Sequence, residues 1–394
     1  EDLRRLINRS YDSFDNREIT PVVRENGVYI LELFHGPTLA FKDVALQLLG
    51  NLFEYLLKER GERMNIVGAT SGDTGSAAIC GVRGKDNINI FILHPHLKTS
   101  PIQARQMTTV LDANVHNLAV KGTFDDCQNI VKALFNDLPF KERLSLGAVN
   151  SINWARVLAQ VVYYFFAWFR VTEAGGADIV FSVPTGNFGD IFAGFVAKRM
   201  GLPMDKLLLA TNENNILTRF INNGDYSTGK VAQTVSPSMD IQVASNFERY
   251  LYYLFDEEPA RVRGAFAEFA KNGRMAFTEA EMARVREEFI SCSVTEEETL
   301  ATIADFREKT GYLLDPHTAV GVHAALKCIG KGETPVCLAT AHPAKFGEAV
   351  EKATGFAPPY PEALVGIEKL PTRCAVIDAD EAAIRVFIEE KAGD

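Results

Sequence analysis

The chain has six cysteines in 394 residues, Cys80, Cys127, Cys292, Cys328, Cys337 and Cys374, with no CxxC pair and no regular spacing. That scarcity argues against a disulfide framework and fits a reducing compartment, so a cytoplasmic location is expected. Seven scattered histidines, without an HExxH pair or a Cys/His ligand set, leave a metal without support, and none is expected. Long apolar runs are missing too. The longest, around 157–169, is interrupted by Gln160 and falls short of a membrane span, and no signal peptide precedes Arg4 and Arg5. Positive charge is in deficit: a net charge of −10 argues against nucleic acid or an anionic membrane as partner. Anionic ligands must therefore be held by local groups, against the overall field.

A chain of this length with 47% hydrophobic residues can bury two cores, and two domains are expected. Short apolar runs alternate with helical patterns, the mark of an α/β chain with mostly parallel sheets flanked by helices. The pattern predicts strands at 65–69, 88–93, 115–120 and 145–149 and helices at 74–82, 101–112, 124–137 and 151–169. Pro95, between His94 and His96, predicts a loop at that strand's end. Region 213–310 reads as helix-rich and polar, with the charge runs 279–288 and 296–308 as solvated helix faces.

Three segments can carry chemistry, although taken singly they also read as a surface lysine at a helix start and two routine α/β turns. In HGPTLAFKD (35–43), Lys42 stands at a helix start behind a Gly-Pro turn, and Leu39, Ala40, Phe41 and Val44 can bury its amine enough to make it a nucleophile. A buried strand runs into TSGDTGSAA (70–78), and a second, 178–183, into PTGNFGD (184–190). Each is a strand, a glycine turn and a helix N-terminus, where backbone N–H groups and the helix dipole favour an anion. Neither has the Walker Gly-Lys-Ser/Thr ending or the three-glycine dinucleotide spacing.

Together with NSINWARVLAQ (150–160) and LATAHPAKF (338–346), these segments resemble, in order and over essentially the whole chain, the threonine synthase family. The resemblance implies fold type II of the pyridoxal-phosphate (PLP) enzymes, which is tryptophan synthase β-like. It also implies a large cofactor-binding domain, 1–60 plus 167–394 with 213–310 inserted, and a smaller mobile domain, 61–166. The branch with Asp rather than Asn in the SGDTG loop is the nearest. Family members carry a longer stretch ahead of the lysine motif, and position 1 here is not Met, so the chain is expected to be trimmed, processed or naturally short.

The same resemblance implies roles at matching positions. Lys42 would bind pyridoxal 5'-phosphate as a Schiff base and then move protons at the substrate's α and β carbons. Gly186, Asn187, Phe188 and Gly189 would cradle the cofactor phosphate, Thr185 would add a hydroxyl, and Asp190 should point away from it. Asp73 would face the ring oxygen and Thr340 the pyridine nitrogen, with His342 and Lys345 either lining that wall or serving the turn. Ser71, Gly72 and Thr74 are candidates for the substrate's α-carboxylate, and for Thr74 a helix cap is a compatible reading. The implied substrate is O-phospho-L-homoserine, whose phosphate would meet Ser151, Asn153, Arg156 and Lys98. Without that phosphate, 150–156 reads as an N-cap followed by an exposed arginine. The implied products are L-threonine and phosphate, from a monomer or homodimer. The rivals are a phospho-lyase on the same scaffold releasing 2-oxobutyrate and ammonia, a nucleotide kinase, and a non-enzymatic descendant.

Overall fold

The computed structural model of the chain describes residues 1–70, 72–151 and 153–392. The chain forms two compact units, one from Glu1–Ile19, His35–Arg156 and the segment from Tyr360 onward, the other from Thr20–Phe34 and Val157–Pro359.

The first unit is built on a wholly parallel five-stranded sheet. Its spatial order is Ala375–Asp378, Val115–Lys121, Ile88–Pro95, Met64–Ala69, Leu146–Gly147. Strands buried on both faces must be apolar nearly throughout, and alternate residues then serve different cores. Ile66, Ile90 and Ile92 pack with Leu46, Leu49 and Ile79 on one side, while Val67, Phe91 and Leu93 pack with Leu118, Leu134 and Ile384 on the other. The helices Lys42–Arg60 and Asp73–Val82 meet through two glycines. A Cβ on Gly50 would fall 2.0 Å from the Gly81 carbonyl oxygen, and one on Gly81 would fall 2.5 Å from that of Leu46.

This grouping differs from the division drawn on sequence, which gave 1–60 and 360–394 to the larger domain and placed a boundary at 166. Leu46, Leu49 and Leu57 of the helix Lys42–Arg60 and Ile384 and Ile388 of the C-terminal helix complete the two cores of the five-stranded sheet. Apolar spacing identifies a helix's buried face but not the sheet it covers. Element limits differ chiefly in four places, the first being the helix expected over 151–169, which is Trp154–Glu173. His94 and Pro95 belong to the strand Ile88–Pro95. The helix over 101–112 stops at Thr108, where the Thr108 and Thr109 hydroxyls turn back to the carbonyls of Ala104 and Arg105. The strand at 145–149 shrinks to Leu146–Gly147.

A buried charge cluster ties helices of this unit together. Glu54, 6% exposed, accepts from the ammonium groups of Lys85 and Lys58, each at 2.9 Å, and Arg9 also lies 2.9 Å away. Burial pushes the Glu54 carboxyl up, but the cations outweigh it and hold its pKa down at about 2, below the ordinary 4.5. A depressed folded value means the stabilisation is present above pH 4.5 and is lost as pH falls toward 2. Glu54→Ala leaves the buried Lys85 without its carboxylate and is expected to cost about 3–5 kcal/mol in denaturant unfolding. A loss under about 1 kcal/mol, the range of exposed pairs, would remove the cluster from the account of stability.

The second unit holds a six-stranded sheet in the order Val22–Glu25, Val28–Glu32, Thr334–Ala339, Ile179–Pro184, Leu207–Thr211, Phe289–Ser293. Only its first pair is antiparallel. Region 213–310 is helix-rich as expected, with Ile216–Asn223, Phe247–Leu254, Pro259–Asn272, Glu279–Glu288 and Glu296–Thr310, yet it also gives the sheet its edge strand Phe289–Ser293. The two charge runs fall on the last two of these helices, although Glu281 is buried and paired with Arg261. Among the described residues no helix is long and apolar enough to cross a membrane.

Candidate active site

Lys42 is the first residue of the helix Lys42–Arg60, and the turn ahead of it is clamped by its neighbour. The fully buried Asp43 carboxylate accepts from the Thr38 backbone N–H and from its hydroxyl, both at 2.8 Å. A Cβ on Gly36 would fall 2.3 Å from that of Asp43, so the close turn requires glycine there. The Lys42 side chain is 11% exposed, its ammonium 5.0 Å from the centre of the Phe41 ring and 3.4 Å from Asp73 Oδ2. The side chain is thus largely but not fully enclosed, and the structure adds a carboxylate partner.

Asp73 opens the helix Asp73–Val82 behind the first glycine turn. Its other oxygen, Oδ1, accepts from Gln103 Nε2 at 2.7 Å, while Gln103 Oε1 accepts from the Ser100 hydroxyl at 3.0 Å. Gly72 packs so closely on Gln103 that a Cβ would lie 2.5 Å from its Cδ. The capping work expected of Thr74 is done elsewhere. Thr70 Oγ1 accepts from the N–H groups of Gly72 and Gly75, each at 3.0 Å, whereas half-buried Thr74 is the second helical residue. Ser71 lies outside the described residues.

In the stretch 150–156 the exposed arginine is overturned. Arg156 is 4% exposed, and its Nη1 donates to the Val149 carbonyl at 3.2 Å. The capping half of that reading holds for Asn153, whose Oδ1 accepts from Ala155 N–H at 3.0 Å and whose Nδ2 donates to Ala148 O at 3.2 Å. Ser151 is half-buried in a turn. Lys98 is exposed and donates to the Gly122 carbonyl at 3.2 Å.

In the second unit, the strand Ile179–Pro184 leads through Thr185–Phe188 into the helix Gly189–Arg199, which has no side-chain cap at its N-terminus. Uncapped helix N–H groups behind a glycine loop suit an anion. Both donors of Thr185 are engaged within the fold, its N–H with Ala210 O and its hydroxyl with Val183 O, which differs from the hydroxyl donation expected of it. Gly186 lies against the backbone of 238–239, where a Cβ would fall 2.8 Å from Ser238 O. The Asn187 carbonyl accepts from Asn246 N–H and Nδ2 at 3.0 and 3.2 Å. Phe188 adopts a left-handed conformation, φ 64°, costly for a bulky residue and maintained here by burial against Phe247, Tyr250 and Phe289. One Asp190 oxygen accepts from the hydroxyls of Tyr163 at 2.5 Å and Tyr164 at 3.0 Å. Burial and the Asp190 charge push the Tyr164 phenol well above its ordinary pKa, so it remains a donor. Thr340, 7% exposed, follows the strand Thr334–Ala339 directly. His342 serves the turn after it, its Nδ1 accepting from Ala344 N–H at 3.1 Å, and Lys345 is buried in that turn.

A lysine amine beside a carboxylate, in the first unit, suits reaction with an aldehyde; the glycine loop of the second unit, taken by itself, suits a phosphate. Sequence reasoning missed Thr70, Gln103, Asp43, Tyr163, Tyr164 and the strap around Ser238. Of these only Asp43, adjacent to Lys42, and Thr70, at the start of the first glycine turn, carried a local signal.

Residues 16–265 match the family model described as pyridoxal-phosphate dependent enzyme, and residues 318–388 the one described as threonine synthase, C-terminal. A threonine synthase of Pseudomonas aeruginosa is 48% identical over 392 residues, which span 99% of this chain and 83% of that one. The threonine synthase of Saccharomyces cerevisiae is 47% identical, with coverage of 99% and 84%. The solved structure of PLP bound threonine synthase from Brucella melitensis superposes with a TM-score of 0.95 at 47% identity, covering 100% of this chain and 85% of that one.

Proposed function

Because the chain belongs to the threonine synthase family of pyridoxal-phosphate-dependent enzymes, we propose that it converts O-phospho-L-homoserine and water into L-threonine and inorganic phosphate in threonine biosynthesis. The observation that carries this reading is the Lys42 amine, largely enclosed at a helix start 3.4 Å from Asp73. Bound pyridoxal phosphate supplies the electron sink that lets protons leave the substrate's α and β carbons.

The chain's own residues then have distinct tasks. Lys42 would hold the cofactor through its amine and, when free, would carry protons between the substrate's carbon atoms. Asp73, oriented by Gln103, would face the ring oxygen. Gly186, Asn187, Phe188 and Gly189 take the cofactor phosphate, with Thr185 anchoring the loop's start. Thr340 would offer the pyridine nitrogen a neutral hydroxyl, which would temper its protonation and favour chemistry at the β and γ carbons over transamination. Ser71, Gly72 and Thr74 grip the α-carboxylate. Arg156, with Ser151, Asn153 and Lys98, holds the phosphate that leaves from the γ carbon, and water adds at the β carbon. Six free cysteine thiols support a reducing, cytoplasmic setting.

The test is to follow O-phospho-L-homoserine by NMR with the protein and pyridoxal phosphate. Threonine and phosphate should appear in equal amounts. Predominant 2-oxobutyrate with ammonia would replace the synthase outcome by elimination alone, and an unchanged substrate would overturn the substrate assignment.

A further inference from the structure

The phosphate loop of the second unit rests on a strap that a single buried histidine pins. His317, 3% exposed, is the second residue of the helix Pro316–Cys328, whose N-cap is Asp315. Its Nε2 accepts from the Ser238 backbone N–H at 3.2 Å, and its Nδ1 lies 2.9 Å from Asp315 Oδ1. A backbone N–H can only donate, so Nε2 must be the bare nitrogen and Nδ1 the one carrying the proton given to Asp315. The tautomer is thereby fixed. Asp315 is itself held by the N–H groups of His317 and Thr318 and by the Thr318 hydroxyl, and the Phe346 ring packs edgewise on the imidazole at 4.7 Å.

On its other side, Ser238 touches the loop. Its carbonyl oxygen and the Met239 Cα would lie 2.8 and 3.2 Å from a Cβ on Gly186. We infer that His317 is a positioning residue for the cofactor phosphate: by pinning Ser238 it sets how far the backbone of Gly186 can retreat, and so the width of the anion cradle. The inference rests on the reading of Gly186–Gly189 as a phosphate loop, and deepens it by naming what holds that loop in shape.

The experiment compares pyridoxal phosphate with pyridoxal, which keeps the aldehyde for Lys42 but lacks the phosphate. Full-length protein is stripped of cofactor and the affinity for each ligand is read from its visible absorbance on binding. His317→Ala and His317→Phe, which keeps an aromatic ring but cannot accept from Ser238, should weaken pyridoxal phosphate about tenfold, one hydrogen bond's worth, and leave pyridoxal within about twofold. His317→Gln, which restores an acceptor, should recover most of the affinity. Equal weakening of both ligands, or an unchanged affinity for pyridoxal phosphate in His317→Phe, would overturn the inference. Wild-type protein binding pyridoxal phosphate no more tightly than pyridoxal would instead overturn the reading of the loop.

Discussion

Replacing Lys42 with alanine is expected to lower turnover of O-phospho-L-homoserine by about 10³-fold or more, since a single positioned proton carrier contributes about 10²–10⁴-fold and Lys42 is also the proposed point of attachment. Its side chain is 11% exposed and has Asp73 and the Phe41 ring as neighbours. Another lysine is therefore poorly placed to substitute. Borohydride reduction of the wild-type protein loaded with pyridoxal phosphate should fix the cofactor on the peptide containing Lys42, as read by mass spectrometry, and leave Lys42→Ala unlabelled. The turn before Lys42 is clamped by Asp43 and Thr38, not by Lys42, so the variant should unfold at nearly the wild-type temperature. Label on another lysine, or activity within about tenfold of wild type, would remove Lys42 from the chemistry.

The second large effect is expected at Arg156. A guanidinium 4% exposed has lost most of its water, and charge-assisted hydrogen bonds from such a group to phosphate are stronger than neutral ones. Truncation of a buried charged partner costs about 2–5 kcal/mol, so Arg156→Ala should lower kcat/KM for O-phospho-L-homoserine by about 10²–10³-fold. Inhibition by inorganic phosphate should weaken in parallel. Binding of pyridoxal phosphate should not change, because that phosphate belongs to another loop. The competing account is that Arg156 only braces the Val149 carbonyl. Under that account stability would fall while kcat/KM and phosphate inhibition held, and that pattern would remove Arg156 from the substrate site.

What the sequence disclosed follows the range over which each interaction acts. Parallel strands buried on both faces must be continuous apolar runs, so Met64–Ala69 and Ile88–Pro95 were legible to within a residue or two. Lys42 and the two glycine turns were legible because a helix start and a strand-to-helix turn are written in adjacent residues. Gln103 reaches Asp73 from 30 positions away and His317 reaches Ser238 from 79, and nothing local marks such partners. The same limit explains the domain division, since the leucines of Lys42–Arg60 fit either sheet on spacing alone. Arg156 was misjudged in one of its two readings because exposure depends on what packs over a helix's first turn.

The glycine pair at positions 50 and 81 has a bearing on catalysis. Lys42 and Asp73 each sit at the first residue of a helix, and those two helices are joined farther along by backbone pressed on backbone. The interval between amine and carboxylate is thus gauged at a distance, by a clasp that contains no functional group. Even one added methyl at either glycine would act as a wedge between two levers whose far ends carry the reactive pair.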